Sequence, residues 1–321
     1  MADNRHGIPK QIFGPFNDFA SLGIVRGNYI ALCADEPEAA AEFAVRHMGF
    51  YLVHVDSAGR HYLAAGGHDP YSLVYTNGEH GKIDHISYVV NQASELVAAE
   101  TRLAQIDVPI VRVEKSDLWR HGPALRVRNP GGATIELTVG VRTTEPMACN
   151  IFPSEKAPQP LCLDHAVIRA VDIPAAYDFA ARVLGLQESG RICDPTDKPL
   201  LGFFRSGSDK GKLWHCYAVA ASEYDGLHHV QFTLKNKNAL EESHAAMEKD
   251  GKVNIIWRPM RHGPGHNIAY YFEDYTGNVI EYSTEEEIIL DDASYVPRQW
   301  STMESKSISE WDIREFPKIM L

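Results

Sequence analysis

The 321-residue chain is predicted to be an α+β protein built from four β-α-β-β-β modules that pair into two domains. Its length suits about two domains. One helical pattern occurs once in each half, and a longer strand-helix-strand pattern also occurs once in each half. Self-similarity of this kind indicates a repeated supersecondary unit.

The first repeated pattern is an amphipathic helix. Residues 34–50 resemble residues 171–186, with a Phe, an Arg and a Gly at matching positions. In the second copy, Pro174 lies near the predicted start and Gly185 lies just past the predicted end. Four apolar residues follow the spacing of one helix face: Ala176, Phe179, Ala180 and Val183. This pattern favours a helix of about three turns, preceded and followed by strands.

The second repeated pattern links residues 83–137 with residues 227–282. An Arg-His-Gly-Pro motif occurs at the same relative position in both, at 120–123 and at 261–264. Helical stretches are expected before these motifs, at 96–104 and at 240–249, the latter ended by Gly251. Each unit therefore consists of a strand, a helix and three strands. The four modules span approximately residues 25–80, 82–141, 160–222 and 225–285.

These modules divide the chain into three parts. Residues 1–150 are expected to form an N-terminal two-module domain and residues 151–285 a C-terminal catalytic domain. Prolines near the junction disfavour both helix and central strand. Residues 286–321 match no module, and we expect them to act as a lid or as a subunit-interface arm. Their aromatic and proline content favours packing over solvation: Tyr295, Pro297, Trp300 and Trp311.

Composition and charge exclude several classes of protein. A hydrophobic content of 44% is typical of a folded protein, and the formal charge of −12 disfavours nucleic acid and anionic membranes as partners. No apolar run is long enough to span a bilayer, and the N-terminus lacks a signal-peptide pattern, so a cytoplasmic location is expected. The five irregularly spaced cysteines predict reduced thiols. Phosphate-binding loops and nucleophile elbows are absent from the sequence.

Three residues in apolar, strand-like segments are candidate metal ligands: His165, His229 and Glu281. A glutamate in such a segment needs a charged partner or a metal ion. The module alignment matches His165 with His229, and strand alternation predicts that His228 points to the other face of the sheet. Two histidines and one carboxylate form the facial triad that leaves coordination positions open for substrate and dioxygen.

Around these residues the chain resembles the type I extradiol catechol dioxygenases of the vicinal oxygen chelate superfamily. The most specific motif begins at His262, with Tyr271 nine residues later and Glu281 a further ten residues on. His215 lies 14 residues before His229, at the spacing of the family's catalytic histidine. The resemblance covers most of the four predicted modules and implies the glyoxalase-like fold of that superfamily.

The resemblance also implies an activity and a cofactor. The expected enzyme inserts both atoms of O2 next to the vicinal diol of a catechol-type aromatic and gives a muconic-semialdehyde-type product. The expected cofactor is Fe(II), with Mn(II) as an alternative because it accepts the same ligands. By the same resemblance His215 faces dioxygen and moves protons, whereas His262 and Tyr271 hydrogen-bond the substrate oxygens. A homo-oligomer is expected.

The first half provides an internal comparison. His85 and Glu136 occupy the positions of two of the ligands, but the counterpart of the third falls at Asn28 or Tyr29. With one ligand missing, the N-terminal domain is expected to bind no metal, to cover the second domain and to support assembly. His121, which matches His262, is expected to have no catalytic role.

Other functions use similar modules, because fold alone does not fix function. A glyoxalase-like isomerase or a metal-dependent thiol transferase would have more carboxylate ligands and would lack the additional histidines and tyrosine. A non-catalytic ligand-binding protein would not need the complete ligand set. A dioxygenase that depends on a 2-oxo acid is distinguished by its substrate.

Overall fold

The computed structural model describes residues 21–67, 69–114, 116–140, 158–206, 212–304 and 306–311. The predicted junction near residue 150 and the end of the tail lie outside these ranges. None of the described helices is long and apolar enough to cross a membrane.

The first half forms one eight-stranded sheet with two helices. Its elements are β1 (Ile24–Ala34), α1 (Pro37–Phe43), β2 (Tyr51–Val55), β3 (His61–Ala64), β4 (Leu73–Asn77), β5 (Ile83–Val90), α2 (Ala93–Gln105), β6 (Ile110–Val113), β7 (Ala124–Arg128) and β8 (Thr134–Val139). The strand order is β2-β3-β4-β1-β5-β8-β7-β6.

The second half repeats this arrangement and adds strands from the tail. Its elements are β9 (Cys162–Ala170), α3 (Ile173–Asp178), β10 (Gln187–Cys193), β11 (Pro199–Arg205), β12 (Lys212–Leu213), β13 (Tyr217–Ala221), β14 (Gly226–Thr233), α4 (Lys237–Asp250), β15 (Ile255–Arg261), β16 (Ile268–Glu273), β17 (Val279–Thr284), β18 (Ile288–Ile289) and β19 (Arg298–Ser301). The main sheet has the order β15-β16-β17-β14-β9-β13-β11-β10-β19. The α+β class and the four modules are confirmed.

The helices begin and end near the predicted signals. Helices α1 and α3 both carry proline in their first turn and continue into single π-helical segments, Ala44–Met48 and Phe179–Val183. Helix α4 starts three residues before the predicted 240–249 because the Asn236 side chain accepts a hydrogen bond from the backbone N–H of Ala239 at 2.9 Å. It ends at Gly251, whose φ of 64° is the left-handed conformation that glycine adopts without strain.

The sheet order brings the candidate ligands together. Strands β9, β14 and β17 are neighbours at the centre of the second sheet, and each carries one predicted ligand. Strands β9 and β14 are the first strands of their modules and pair antiparallel, whereas β14 and β17 pair parallel. The repeat therefore converts three distant sequence positions into one cluster on adjacent strands.

The tail packs on its own chain. Strand β18 pairs with β12, and β19 adds a parallel edge strand to β10. Gly190 permits this approach, because a Cβ atom there would lie 2.7 Å from the Trp300 ring and 2.7 Å from the carbonyl oxygen of Arg298. Of the predicted tail aromatics, Tyr295 and Trp300 pack against an apolar cluster that contains Trp214.

Candidate active site

The three predicted ligands meet at one buried point. The Nε2 atom of His229 lies 3.0 Å from Oε2 of Glu281, and the Nε2 atom of His165 lies 3.5 Å from the same oxygen. All three side chains are at least 93% buried. Ligand atoms about 2.1 Å from a metal ion and at right angles to each other lie about 3 Å apart. The spacing and the donor set therefore fit a divalent metal ion.

The charges at this point also favour a cation. Burial raises the pKa of Glu281, but hydrogen bonds from His165 and His229 outweigh it and hold the pKa well below the usual value. Burial lowers the pKa of His165, but Asp164 and Glu281 overcome this and raise it to about 9. A buried carboxylate needs a positive partner, and a metal ion can take the place of the proton on His165.

A second cluster of possible ligand atoms shares His165 and adds His215 and Glu286. The carboxylate of this cluster already has two hydrogen-bonding partners on His215. Oε1 of Glu286 accepts the backbone N–H of His215 at 2.9 Å and lies 2.8 Å from the ring Nδ1. In the cluster of His165, His229 and Glu281, the Glu281 oxygen Oε2 lies 3.0 Å and 3.5 Å from the two histidine nitrogens. This cluster is the better candidate for a metal ion.

His215 lies beside the candidate ligands. Its Nε2 atom is 3.2 Å from Nε2 of His165, and its ring packs edge-on against Phe203 at 5.3 Å between centroids. Burial and the neighbouring positive charge of His165 lower its pKa well below the usual value. Because Glu286 Oε1 also accepts the backbone N–H, the tautomer with a proton on Nδ1 fits best, which leaves Nε2 as an acceptor toward the ligands.

His262 and Tyr271 form a hydrogen-bonded pair on the other side of the ligands. Nδ1 of His262 lies 2.7 Å from the carbonyl oxygen of Ile308, which can only accept, so this nitrogen carries the proton. Burial lowers the pKa of His262, and the neutral ring therefore accepts at Nε2 from the Tyr271 hydroxyl, 2.7 Å away. Burial and the charge of Glu281 raise the pKa of Tyr271, which keeps its proton.

The prediction for His228 was wrong. His228 lines the same cavity as His229, and the two Nδ1 atoms lie 2.6 Å apart. The pairing of β14 with β9 is irregular between Leu227 and His229. Such an irregularity breaks the strict alternation of side chains on which the prediction relied.

The equivalent position of the first half contains Tyr29 in place of the missing histidine. The Tyr29 hydroxyl donates to Oε1 of Glu136 at 2.8 Å and lies 2.8 Å from Nε2 of His85. Asn28, the other sequence candidate, donates instead to the Ser87 hydroxyl at 3.2 Å.

Two further groups close this N-terminal cluster around Glu136. His121 Nε2 lies 2.8 Å from Oε1, and Arg126 Nε donates to Oε2 at 2.8 Å. Arg126 occupies the register position of Tyr271, because each is paired with the glutamate of its own half. Burial raises the pKa of Glu136, but His121, His85 and Arg126 outweigh it and lower the pKa well below the usual value.

Every predicted site residue of the second half lines one cavity: His165, His215, His229, His262, Tyr271 and Glu281. Two contributors were missed. Asn267 Nδ2 donates to Oε1 of Glu281 at 3.1 Å, and Glu286 holds His215. Asn267 lies in the His-Gly-Pro-Gly-His-Asn motif, where its closeness to His262 was a usable signal. Glu286 lies in a run of three glutamates, which is typical of a solvated segment.

Comparisons with known proteins agree with this geometry. The family model described as "Glyoxalase/Bleomycin resistance protein/Dioxygenase superfamily" matches residues 162–282. Metapyrocatechase from Pseudomonas sp. (strain CF600) is 24% identical over 267 residues, which cover 80% of this chain and 84% of that protein.

Solved structures share the fold over most of the chain. The 2,3-dioxygenase LapB from Pseudomonas sp. KL28 has a TM-score of 0.77 at 22% identity, covering 88% of this chain and 99% of that one. Homoprotocatechuate 2,3-dioxygenase from Arthrobacter globiformis has a TM-score of 0.81 at 20% identity, covering 94% and 92%. These comparisons support the resemblance noted in the sequence: residues 162–282 match the superfamily model, and the fold is shared with extradiol dioxygenases of known structure.

Proposed function

We propose that this protein is an extradiol dioxygenase that cleaves the ring of a catechol-type aromatic beside its vicinal diol and incorporates both atoms of O2. The observation that carries the proposal is the single cavity that joins a two-histidine, one-carboxylate cluster to His215, His262 and Tyr271. An isomerase or a simple binding protein has no need for these three additional groups.

We propose Fe(II) as the metal ion, held by His165, His229 and Glu281. When bound, Fe(II) supplies open coordination positions for the two catechol oxygens and for dioxygen. Asn267 fixes the orientation of the Glu281 carboxylate through the bond to Oε1. Mn(II) accepts the same donor set and is the alternative metal.

The pair of Tyr271 and His262 is placed to receive a proton from the substrate. With Tyr271 donating to His262, the phenolic oxygen is free to accept a catechol hydroxyl. The proton can then move from the substrate to Tyr271 while Tyr271 passes its own proton to His262. The Ile308 carbonyl keeps the acceptor nitrogen of His262 turned toward Tyr271.

His215 is placed for a separate proton transfer. Its neutral ring presents Nε2 to the space beside His165, while Glu286 holds the opposite nitrogen. A neutral imidazole can accept a proton at this atom and return it later in the reaction. We expect His215→Asn to keep metal and catechol binding but to lower turnover by about 10²–10⁴-fold.

The proposal is tested by loading the protein with Fe(II) under argon, adding catechol and admitting air. The expected result is a yellow ring-cleavage product formed with one O2 consumed for each catechol. Metal-free protein and Mn(II)-loaded protein are the controls for the metal. Turnover of a 2-oxo acid or of a thiol adduct without any ring cleavage would contradict the proposal.

Several broader properties belong to the same proposal. The first half and the tail are proposed to cover the catalytic half and to support a homo-oligomer in the cytoplasm. The position of Ile308 in the cavity wall favours a covering role for the described part of the tail. Removal of residues 297–321 is expected to raise KM or to uncouple O2 consumption if the tail is a lid. It is expected to reduce the oligomer size if the tail is an interface arm.

A further inference from the structure

The cavity at the candidate site has two unlike sides. Its polar side comes mainly from the fourth module, with His229, Tyr271 and Glu281. The apolar part of the lining, here called the apolar wall, comes from the third module and the tail: Val167, Ile192, Leu201, Phe203 and Ile308. Three of these residues belong to one buried hydrophobic cluster, and Leu201 and Ile308 pack against it, so the wall is continuous with the packed interior.

Strand alternation explains why this wall faces the ligands. Val167 lies two residues after His165 on β9, and Leu201 and Phe203 lie two residues apart on β11. Side chains two residues apart point to the same face of a strand.

The described residues that line the cavity include no lysine and no arginine. Arg205 follows the apolar wall on β11, but it lies outside the cavity, and its Nε donates to Asp292 at 2.6 Å. Arg298 and Arg261 are also bound to acidic partners, Glu287 and Glu285. These guanidinium groups are thus engaged by the protein itself.

An anionic group against this wall would therefore lack a counterion among the described residues. The Glu281 carboxylate also lines the cavity, and a carboxylate gives a second anion no partner. Moving a carboxylate from water to an apolar surface without a partner is costly, whereas an alkyl group gains from the same move. The apolar wall therefore favours an uncharged substituent over an anionic one.

We infer that the ring substituent accepted by this enzyme is uncharged and apolar, so that the substrate class is alkyl- or aryl-substituted catechols and not catechols that carry a carboxylate. The inference rests on the proposed function, since it takes the diol to bind at the histidine and glutamate cluster. It concerns the apolar wall of the same cavity, which offers the substituent an uncharged surface.

The test compares ligands that differ in charge but little in shape. Binding to the Fe(II)-loaded enzyme is titrated under argon with 3,4-dihydroxyphenylacetate and its methyl ester, and with 3-(2,3-dihydroxyphenyl)propanoate and its methyl ester. The two pairs place the side chain at different ring positions. Each ester is expected to bind at least about 10-fold more tightly than its acid. From 4-methylcatechol to 4-ethylcatechol, affinity is expected to rise about 4-fold.

A matched pair of variants tests whether the wall causes the preference. Leu201→Arg is expected to shift the ester-to-acid affinity ratio by at least about 10-fold toward the acids, because it supplies the missing cation. Leu201→Met keeps the volume and the apolar character and is expected to leave the ratio unchanged. If the arginine variant does not fold, the wild-type titrations alone decide the question.

Acids that bind as tightly as their esters, or more tightly, would overturn the inference. Such a result together with ring cleavage would leave the proposed function intact. Conversely, tighter binding of the esters without ring cleavage of any catechol would overturn the proposed function and support the selectivity of the wall.

Discussion

The two halves of the molecule surround a buried glutamate with different partners. In the first half, Tyr29 and Arg126 both donate to Glu136, and the guanidinium provides a permanent positive charge. In the second half, Glu281 has neither of these partners at the matching positions. Its carboxylate faces two histidine rings, the Asn267 amide and the neutral Tyr271 hydroxyl.

Two residue differences account for this contrast. Tyr29 replaces the equivalent of His165, and Arg126 replaces the equivalent of Tyr271. An arginine cannot release its charge, so it satisfies a buried carboxylate permanently. Histidines balance the negative charge of the carboxylate only in their protonated, cationic form. Otherwise a metal ion bound by the two histidines and the carboxylate must balance it. The comparison indicates that a site becomes available to a metal when the fold provides no fixed cation.

The largest effect is expected from removing a ligand. His165→Ala should abolish both bound iron and ring cleavage, because two remaining ligands do not hold the ion against water. His85→Ala is the matched change in the first half and should keep the iron content and activity of the wild type. Iron analysis of the two purified variants checks this. Wild-type iron in His165→Ala protein would disprove the assignment.

A second change introduces the arginine of the first half at the equivalent position of the active site. Tyr271→Arg places a fixed cation opposite Glu281, and we expect it to exclude the metal ion while the protein stays folded. Tyr271→Phe should keep the metal and lower turnover by about 10²-fold, since only the proton path is lost. Circular dichroism and iron content measure fold and loading. Full metal loading of the arginine variant would show that fixed charge does not decide between the two sites.

A third change removes the buried negative charge of the first half and tests its contribution to stability. Glu136→Gln leaves the positive charge of Arg126 without its buried partner, and we expect a loss of about 3 kcal/mol in the free energy of unfolding at pH 7. The folded state lowers the pKa of Glu136, so its contribution is complete above the unfolded value of about 4.3 and declines as pH falls below it.

Urea unfolding between pH 3 and 8 tests this expectation. The difference between wild type and Glu136→Gln should be constant above about pH 5 and should shrink in acid. Glu42→Gln is the control, because Glu42 forms an exposed pair with Arg46 and should matter by less than about 1 kcal/mol. A difference that grows in acid would contradict the direction of the Glu136 pKa shift.

The smallest effect is expected at Glu286, which holds His215 and is not one of the three proposed metal ligands. Glu286→Ala should lower kcat about tenfold at unchanged KM, because the ring of His215 loses its orientation. Glu286→Gln keeps an acceptor oxygen and should restore most of the activity. A change confined to KM, or an alanine variant with the kcat of the wild type, would argue against this positioning role.

Much of the fold and the metal cluster could be predicted from the sequence because both depend on a repeat. Matching spacing in the two halves aligned His229 with His85 and Glu281 with Glu136. The same alignment showed that the first half lacks the third ligand near Tyr29. These inferences need only local periodicity and an internal comparison.

Other features depend on contacts that local patterns do not encode. The irregular pairing of β14 turns His228 into the cavity, although alternation predicts the opposite. Glu286 is buried by the return of the tail onto its own sheet, which a run of acidic residues does not indicate. The apolar wall likewise joins β9, β10 and β11 with Ile308, and such long-range packing appears only in the folded chain.

The most direct test of the account is a crystal structure of the iron-loaded protein with anomalous scattering measured at the iron edge. One peak per chain is expected, within about 2.3 Å of His165 Nε2, His229 Nε2 and a Glu281 oxygen. The Tyr29 and Glu136 cluster of the first half should have no peak. A peak there, or one bound by His215 and Glu286, would contradict the claim that the missing fixed cation beside Glu281 creates the metal site.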